Sequence, residues 1–234
     1  DKLNAYISVT EDLSASVAGI SSVDKSVFAR VNLPEGLRHI ENNFDDFKGQ
    51  QVLLPHKMST WGPSFCKGDV NGDGLEDVFV GGAKGNRAAF FVQTSNGGFA
   101  PVSGQVFGEH ARYEDVGALL LDGDSDGDLD LYVASGGNEA VKGHPYYQHR
   151  YYLNNGFGDF TYAPELIPDI RVSGKAVEAF DYDSDGDLDL FVGGRHVPGN
   201  YPQPTSSYLL KNDGGVFTDV TESIFVDLQN IGMV

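Results

Sequence analysis

The chain has 234 residues, of which 34 are acidic and 16 are lysine or arginine, and its formal net charge is −18. This acidic balance argues against nucleic-acid binding, which needs a basic face. No run of 18 apolar residues occurs, so the sequence offers no candidate membrane span. The single cysteine, Cys66, excludes an internal disulfide and is expected to be a small buried hydrophobe.

The first 51 residues form an N-terminal segment that differs from the rest of the chain. Residues 6–10 and 27–31 alternate in polarity like strands, whereas 36–48 suits either a short helix or an ordered loop. We expect this segment to belong to a preceding structural unit, and residues 52–234 to form a series of repeats.

A nine-residue acidic motif occurs three times, at residues 69–77, 122–130 and 181–189. Each copy fits D-x-[DN]-x-D-G-x-x-D. Oxygen side chains at alternate positions suit a hard cation that takes six to eight oxygen ligands, and the glycine permits the backbone to reverse around it. The copies hold 14 of the 34 acidic residues, which would repel one another without a cation. The motifs therefore predict three Ca²⁺ sites.

The predicted ligands of each site are the side chains at motif positions 1, 3, 5 and 9 and the backbone carbonyl at position 7. In chain order they are Asp69, Asn71, Asp73, Leu75 and Asp77; then Asp122, Asp124, Asp126, Asp128 and Asp130; then Asp181, Asp183, Asp185, Asp187 and Asp189. An EF-hand would need an acidic residue at position 12. That position is occupied by Val80, Val133 and Val192, so the ninth residue is expected to close the site instead.

Each motif is followed by a short β-branched and aromatic run that ends in glycines, which indicates a buried strand. A third strand, a glycine-containing turn and a short fourth strand with a phenylalanine come next. The predicted third strands are 88–93, 150–153 and 207–211, and the closing aromatic residues are Phe99, Phe160 and Phe217. Motif starts lie 53 and 59 residues apart, a spacing typical of four-stranded propeller blades.

The sequence therefore predicts an all-β fold. We expect β-propeller blades, each a four-stranded antiparallel sheet with a calcium-binding loop between its first and second strands. The predicted repeats are residues 60–112, 113–172 and 173–223, with a next repeat beginning at 224–234.

The pattern resembles the FG-GAP/VCBS repeats of the integrin α-subunit β-propeller and of bacterial surface proteins. Residues 62–74 and 191–195 are especially similar to bacterial VCBS proteins related to cartilage acidic protein, and the resemblance covers roughly residues 50–234. It implies calcium at the motif positions given above. Such propellers usually have about seven blades, so we expect the chain either to be part of a larger ring or to complete a small ring with its N-terminal strands. As part of a larger ring, its exposed blade edges would support self-association.

Two further stretches contain candidate ligand-binding residues. Residues 144–152 are rich in aromatic and hydrogen-bonding side chains, which suit stacking on sugar rings but also suit a buried third strand. Residues 195–204 are expected to form a long loop after an exit strand. The candidates are Tyr147, His149, Arg150, Arg195, His196 and Tyr201.

No catalytic motif is visible in the sequence. We expect a non-enzymatic, calcium-stabilised adhesion module that binds a protein or glycan at the cell surface, outside the cell or in the periplasm. The alternative is a carbohydrate-active enzyme on the same scaffold, such as a polysaccharide lyase, in which Tyr147, His149 and Arg150 would supply the base and its basic neighbour.

Overall fold

The computed structural model of the protein describes residues 39–48, 51, 53–102, 104 and 106–234. Within these ranges the chain forms three four-stranded antiparallel sheets, and in each sheet the strands are neighbours in sequence order. The strands are β1 (Phe65–Gly68), β2 (Asp77–Val80), β3 (Ala89–Gln93) and β4 (Phe99–Pro101); β5 (Asp115–Leu121), β6 (Asp130–Ser135), β7 (Arg150–Leu153) and β8 (Thr161–Tyr162); β9 (Ser173–Phe180), β10 (Asp189–His196), β11 (Tyr208–Asp213) and β12 (Val216–Asp219). The predicted all-β fold is confirmed, and the sheets are consistent with propeller-like blades.

Helical structure in the described ranges is limited to short segments. The single α-helix, α1, covers Thr221–Ile224, and the 3₁₀ turns are Val106–His110, Pro145–Tyr147, Pro164–Leu166 and Val226–Leu228. All of these segments are too short to span a lipid bilayer.

The second strand of the middle sheet explains why the exit strands are apolar at successive positions. Every residue of β6 is buried. Leu131 and Val133 pack into a cluster shared with the first sheet, while Tyr132 and Ala134 pack into a cluster shared with the third. Because side chains alternate between the two faces of a strand, a sheet covered on both sides needs apolar residues at both sets of positions.

The two clusters hold the three sheets together. Aromatic residues dominate the one between the first and second sheets, which includes Phe79, Phe90, Phe107, Tyr152 and Phe160. Between the second and third sheets the cluster includes Tyr132, Tyr151, Ile170, Val177, Leu190, Leu210 and Phe217. Fully burying a large apolar side chain contributes about 1.5–3 kcal/mol, so these contacts dominate the stability of the fold.

The third sheet exposes an apolar groove on its far face. It is lined by Phe180, Tyr182, Phe191, Leu209, Phe225 and Leu228. Phe180 and Phe225 are 43% and 52% exposed. Self-association through such a face stays a prediction.

The predicted third strands agree with the observed ones to within two residues at their ends. Phe99 and Phe217 lie in β4 and β12, and Phe160 comes directly before β8. Residues 39–48, part of the stretch expected to be either a short helix or an ordered loop, form a loop with a turn near its end. The strands predicted at 6–10 and 27–31 lie outside the described residues.

Candidate metal centre

Each acidic motif forms the connection between the first two strands of its sheet, and all three share a backbone conformation. Position 6 is a glycine with positive φ in every copy. Position 4 is also left-handed in every copy, with φ of 74° at Gly72, 61° at Ser125 and 63° at Ser184. Positive φ is uncommon for residues other than glycine, so its recurrence indicates one common turn. The glycine at position 6 was expected from the sequence to permit this turn, whereas the left-handed conformation at position 4 was not expected.

The second loop gathers carboxylates, several of which have one oxygen without a hydrogen-bond partner. Oxygen atoms of Asp122, Asp124 and Asp126 lie within 4.8 Å of one another. The Oδ1 atoms of Asp122, Asp124 and Asp128 are buried and accept no hydrogen bond. Burial first, and then the neighbouring carboxylates, raise the pKa of Asp124 and Asp128. Unpaired buried carboxylate oxygens are costly, and an oxygen-seeking cation would stabilise them, so this loop fits a metal ion.

The third loop has a comparable cluster, formed by Asp181, Asp183 and Asp189 within 4.8 Å. It differs in having a basic side chain against it. Lys211 donates hydrogen bonds to Asp183 and to Asp185, the latter at 3.0 Å. The hydrogen bond from Lys211 is the main reason that the pKa of Asp185 is lowered. The lysine therefore favours the ionised form of this carboxylate.

The first loop uses its acidic side chains to hold its own backbone. Asp69 Oδ1 accepts from the Gly72 N–H at 2.8 Å and Oδ2 from the Gly74 N–H at 2.7 Å. Asn71 Oδ1 accepts from the Asp73 N–H at 3.0 Å. An amide oxygen is also a ligand that Ca²⁺ accepts, so the donor types still fit this ion, with less negative charge than in the other loops.

The aspartate at position 9 ties each loop to the third strand. Asp77, Asp130 and Asp189 are at most 1% exposed. Their carboxylates accept backbone N–H groups of Gln93, Asn154 and Asn212, at 2.8, 2.9 and 2.8 Å. Asp130 also accepts the Tyr151 hydroxyl at 2.5 Å, and burial raises its pKa to about 6. This residue therefore fixes the loop to its sheet, whatever it contributes to a metal ion.

Two asparagines join a loop to the neighbouring sheet. Asn154, at the end of β7, donates to the Val70 carbonyl of the first loop at 2.8 Å. Asn212, in β11, donates to the Gly123 carbonyl of the second loop at 2.7 Å. The sequence analysis treated both residues only as parts of tight turns. Their side chains instead connect each loop to the next sheet along the chain.

Three of the candidate ligand-binding residues are buried inside the fold. Tyr147, His149 and Arg150 are 1%, 1% and 2% exposed. Tyr147 donates to the Ala140 carbonyl, and Arg150 pairs with the buried Asp115. Both ring nitrogens of His149 have internal partners, and burial lowers its pKa to about 4. A ligand could not reach these groups in this conformation.

The other three candidates lie at the end of β10 and in the loop after it. The strand continues through His196, so the loop begins two residues later than the sequence analysis expected. His196 is 2% exposed, contacts Asn138 at 3.3 Å, and has a pKa lowered by burial to about 4. Arg195 and Tyr201 are half-buried and keep part of their surface accessible.

Three meander sheets, each with an acidic loop between its first two strands, define an all-β repeat protein whose sheets are consistent with propeller-like blades. The sequence profile of the FG-GAP-like repeat matches residues 69–133 and 122–192, which together span more than half of the chain. The chain therefore belongs to the FG-GAP-like repeat proteins. A search of curated proteins returns no match.

Proposed function

We propose that this chain is a calcium-stabilised, propeller-type module that binds a protein or glycan outside the cytoplasm and has no catalytic activity of its own. The observation that supports it most directly is the second loop, where oxygens of Asp122, Asp124 and Asp126 lie within 4.8 Å of one another. Asp122 and Asp124 each have one buried oxygen there without a hydrogen-bond partner. Membership of the FG-GAP-like repeat family supports the propeller type.

Calcium is the cation that suits these loops best. The donors are carboxylate and amide oxygens, with no histidine or cysteine at any motif position. Hard oxygen ligands favour Ca²⁺ or Mg²⁺ over transition metals. A crowded set of five or more oxygens on a flexible loop favours Ca²⁺, since Mg²⁺ demands near-ideal octahedral geometry and retains water. Ca²⁺ is also plentiful outside the cytoplasm, which supports a module that works there.

A bound cation would supply charge neutralisation to the clustered aspartates. Contacts between the loops and the sheets would extend this stabilisation from each loop to the rest of the domain. The aspartate at position 9 fixes each loop to its sheet, and the Asn154 and Asn212 amides connect the first two loops to the following sheets. An ordered loop therefore stabilises the packing between sheets as well as its own turn.

The proposed binding role concerns the accessible residues near the end of β10, rather than the loops. The acidic side chains would be occupied as ligands, which leaves them unsuited to chemistry on a substrate. His149 and Arg150, the strongest candidates for a catalytic pair, are engaged with internal partners. This favours a binding module over an enzyme.

Calorimetric titration tests the metal assignment directly. Protein stripped with a chelator is titrated with CaCl₂, and separately with MgCl₂. We expect saturable Ca²⁺ binding at more than one site and a higher melting temperature in Ca²⁺ than in Mg²⁺ at equal concentration. Absence of Ca²⁺ binding to folded protein would contradict the proposal.

A further inference from the structure

Two basic side chains of the third sheet meet the chain's only tryptophan. The Arg195 guanidinium carbon lies 4.1 Å from the centroid of the Trp61 ring, and Lys175 Nζ lies 5.4 Å from it. Lys175 Nζ also donates to the Trp61 backbone carbonyl at 2.9 Å. Trp61 precedes β1, so this cluster joins the entrance of the first sheet to the first two strands of the third.

Neither basic side chain has an acidic partner among the residues that the structure describes. The ion pairs there include neither Arg195 nor Lys175. The Arg195 Nε atom is buried and has no hydrogen-bond acceptor. This is unusual in a chain with 34 acidic and 16 basic residues, where a carboxylate partner could easily have been placed nearby.

Holding two cations together has an electrostatic cost. Burial lowers the pKa of the Arg195 guanidinium, and burial together with Arg195 lowers the pKa of the Lys175 ammonium. An anion bound beside them would favour the charged form of both groups and would give the buried Nε–H an acceptor.

The local backbone explains the position of the two side chains. Gly174 pairs with Gly194 in the β9–β10 ladder, and the register shifts on both sides of Gly194. Such bulges turn side chains away from the regular direction. Lys175 and Arg195 follow this glycine pair on their two strands, and both contact Trp61.

The geometry favours a carboxylate as the ligand group. The Arg195 guanidinium lies over the Trp61 ring, and the N–H groups of a guanidinium match the two oxygens of a carboxylate. Arg195 and Lys175 together could bind a single carboxylate. A polyanion with dense charge, such as nucleic acid, would be repelled by the rest of a chain with a net charge of −18.

Two further aromatic side chains lie near Trp61 or Arg195 and suit a sugar. The exposed His56 ring stacks near Trp61 with a centroid distance of 5.1 Å, and the half-buried Tyr201 lies close enough to Arg195 to act on its charge. Such rings offer apolar faces and polar edges to a pyranose. We propose that Arg195, Lys175 and Trp61 form a binding site for the carboxylate of a uronic-acid glycan. This names the ligand class of the proposed binding module and rests on that proposal.

Trp61 provides a local reporter, because it is the only tryptophan in the chain. The calcium-loaded chain is titrated with a trimer of galacturonic acid while tryptophan fluorescence is recorded. A neutral galactose trimer and an oligo-glutamate peptide are the comparison ligands. We expect a saturable change with the uronate alone, weakening as salt rises to about 0.5 M, where charge interactions are screened.

Variants locate the site. Arg195→Gln and Lys175→Met should each weaken uronate binding at least tenfold, and Arg195→Lys should fall between Arg195→Gln and wild type. Arg171→Gln is the matched control, since Arg171 is exposed and already paired with Asp169. Its binding should equal that of wild type. Melting curves and calcium titrations of every variant confirm that each is folded and loaded.

Several outcomes would overturn the inference. They are no saturable response to the uronate, equal response to the neutral sugar, binding of the acidic peptide instead, or unchanged affinity in the Arg195 and Lys175 variants. Failure of calcium binding with intact uronate binding would remove the metal assignment and leave this site standing. Binding of another ligand elsewhere would preserve the binding module and reject this site.

Discussion

Lys211 Nζ lies 3.0 Å from the Asp185 carboxylate, so a lysine from the third strand of a sheet reaches the acidic loop of the same sheet. Lys211 comes directly before Asn212, whose backbone N–H bonds to the position-9 aspartate. The corresponding residue is Val92 in the first sheet and Leu153 in the second, and neither is charged. Among the described residues, the third loop is therefore the one in which a lysine bonds side chains predicted as metal ligands; in the first loop Lys67 pairs with Glu76, which is not a predicted ligand. The third loop should depend less on a metal ion than the second.

Replacing Lys211 by methionine tests that relationship. We expect Lys211→Met to melt at a lower temperature than wild type in chelator, because the loop aspartates lose their neutralising partner. In calcium the loss should disappear, since the lysine no longer competes with the ion. The difference in melting temperature between calcium and chelator should thus increase. Lys211→Arg, which keeps the charge, is the control. An equal difference in all three proteins would show that Lys211 does not affect metal binding.

Asp126→Asn addresses the second loop. Binding only to the native state stabilises a protein by about 2.7 kcal/mol when free ligand is a hundredfold above the dissociation constant. Weakening one site should remove most of that amount, which corresponds to about 5–10 °C in a domain of this size. Differential scanning fluorimetry in calcium and in chelator measures the change.

The matched control for Asp126→Asn is Glu165→Gln, which changes the net charge equally at an exposed position. It should melt like wild type in both buffers. If Asp126→Asn also melts like wild type in calcium while ligand binding is lost, the cation belongs to the ligand site and the stabilising role is wrong.

The sequence could predict the sheets because the polarity pattern of a strand depends on whether each of its faces is buried or exposed. The apolar run 131–134 indicates a strand covered on both faces, and the repeated acidic motif indicates the loop before it. Side-chain partners across the fold leave no such local signal. The residues around Arg150 in the sequence do not predict its contact with Asp115, and those around Trp61 do not predict its contact with Arg195. The candidate ligand residues at 147–150 were therefore chosen by local density, and the fold buries them.

Asn212→Ala tests the connection between the second loop and the third sheet. The change leaves the buried Gly123 carbonyl without this donor and removes the acceptor of the Gly215 N–H. Leaving such groups unsatisfied costs about 1–3 kcal/mol. We expect that loss of unfolding free energy in chelator, together with weaker calcium binding. Asn155→Ala, at an exposed position in the turn after β7, should cause a smaller change. Equal losses from both variants would deny Asn212 a special role.

Glu114 is a buried acid that forms no ion pair among the residues that the structure describes. It is 2% exposed; Oε2 accepts from the Lys84 N–H at 2.7 Å, and Oε1 has no hydrogen-bond partner. Burial is the main cause that raises its pKa to about 9, and the carboxylates of Glu41 and Glu139 add to the effect. The native state therefore keeps a proton on this group at neutral pH, whereas the unfolded chain releases it above about pH 4.5.

The free energy of unfolding should decrease as pH rises, because of the protons that Glu114 binds. Between about pH 4.5 and 9 the native state binds more protons at Glu114 than the unfolded state does, so rising pH favours unfolding. Glu114→Gln removes this term and keeps an oxygen for the Lys84 N–H. We expect the variant to match wild type near pH 5 and to exceed its unfolding free energy by on the order of 3 kcal/mol near pH 7.5, at about 1.4 kcal/mol per pH unit. Urea unfolding across this range measures the difference. Glu165→Gln should show no such trend, and a Glu114→Gln difference that stays constant with pH would mean that Glu114 is ionised in the folded protein.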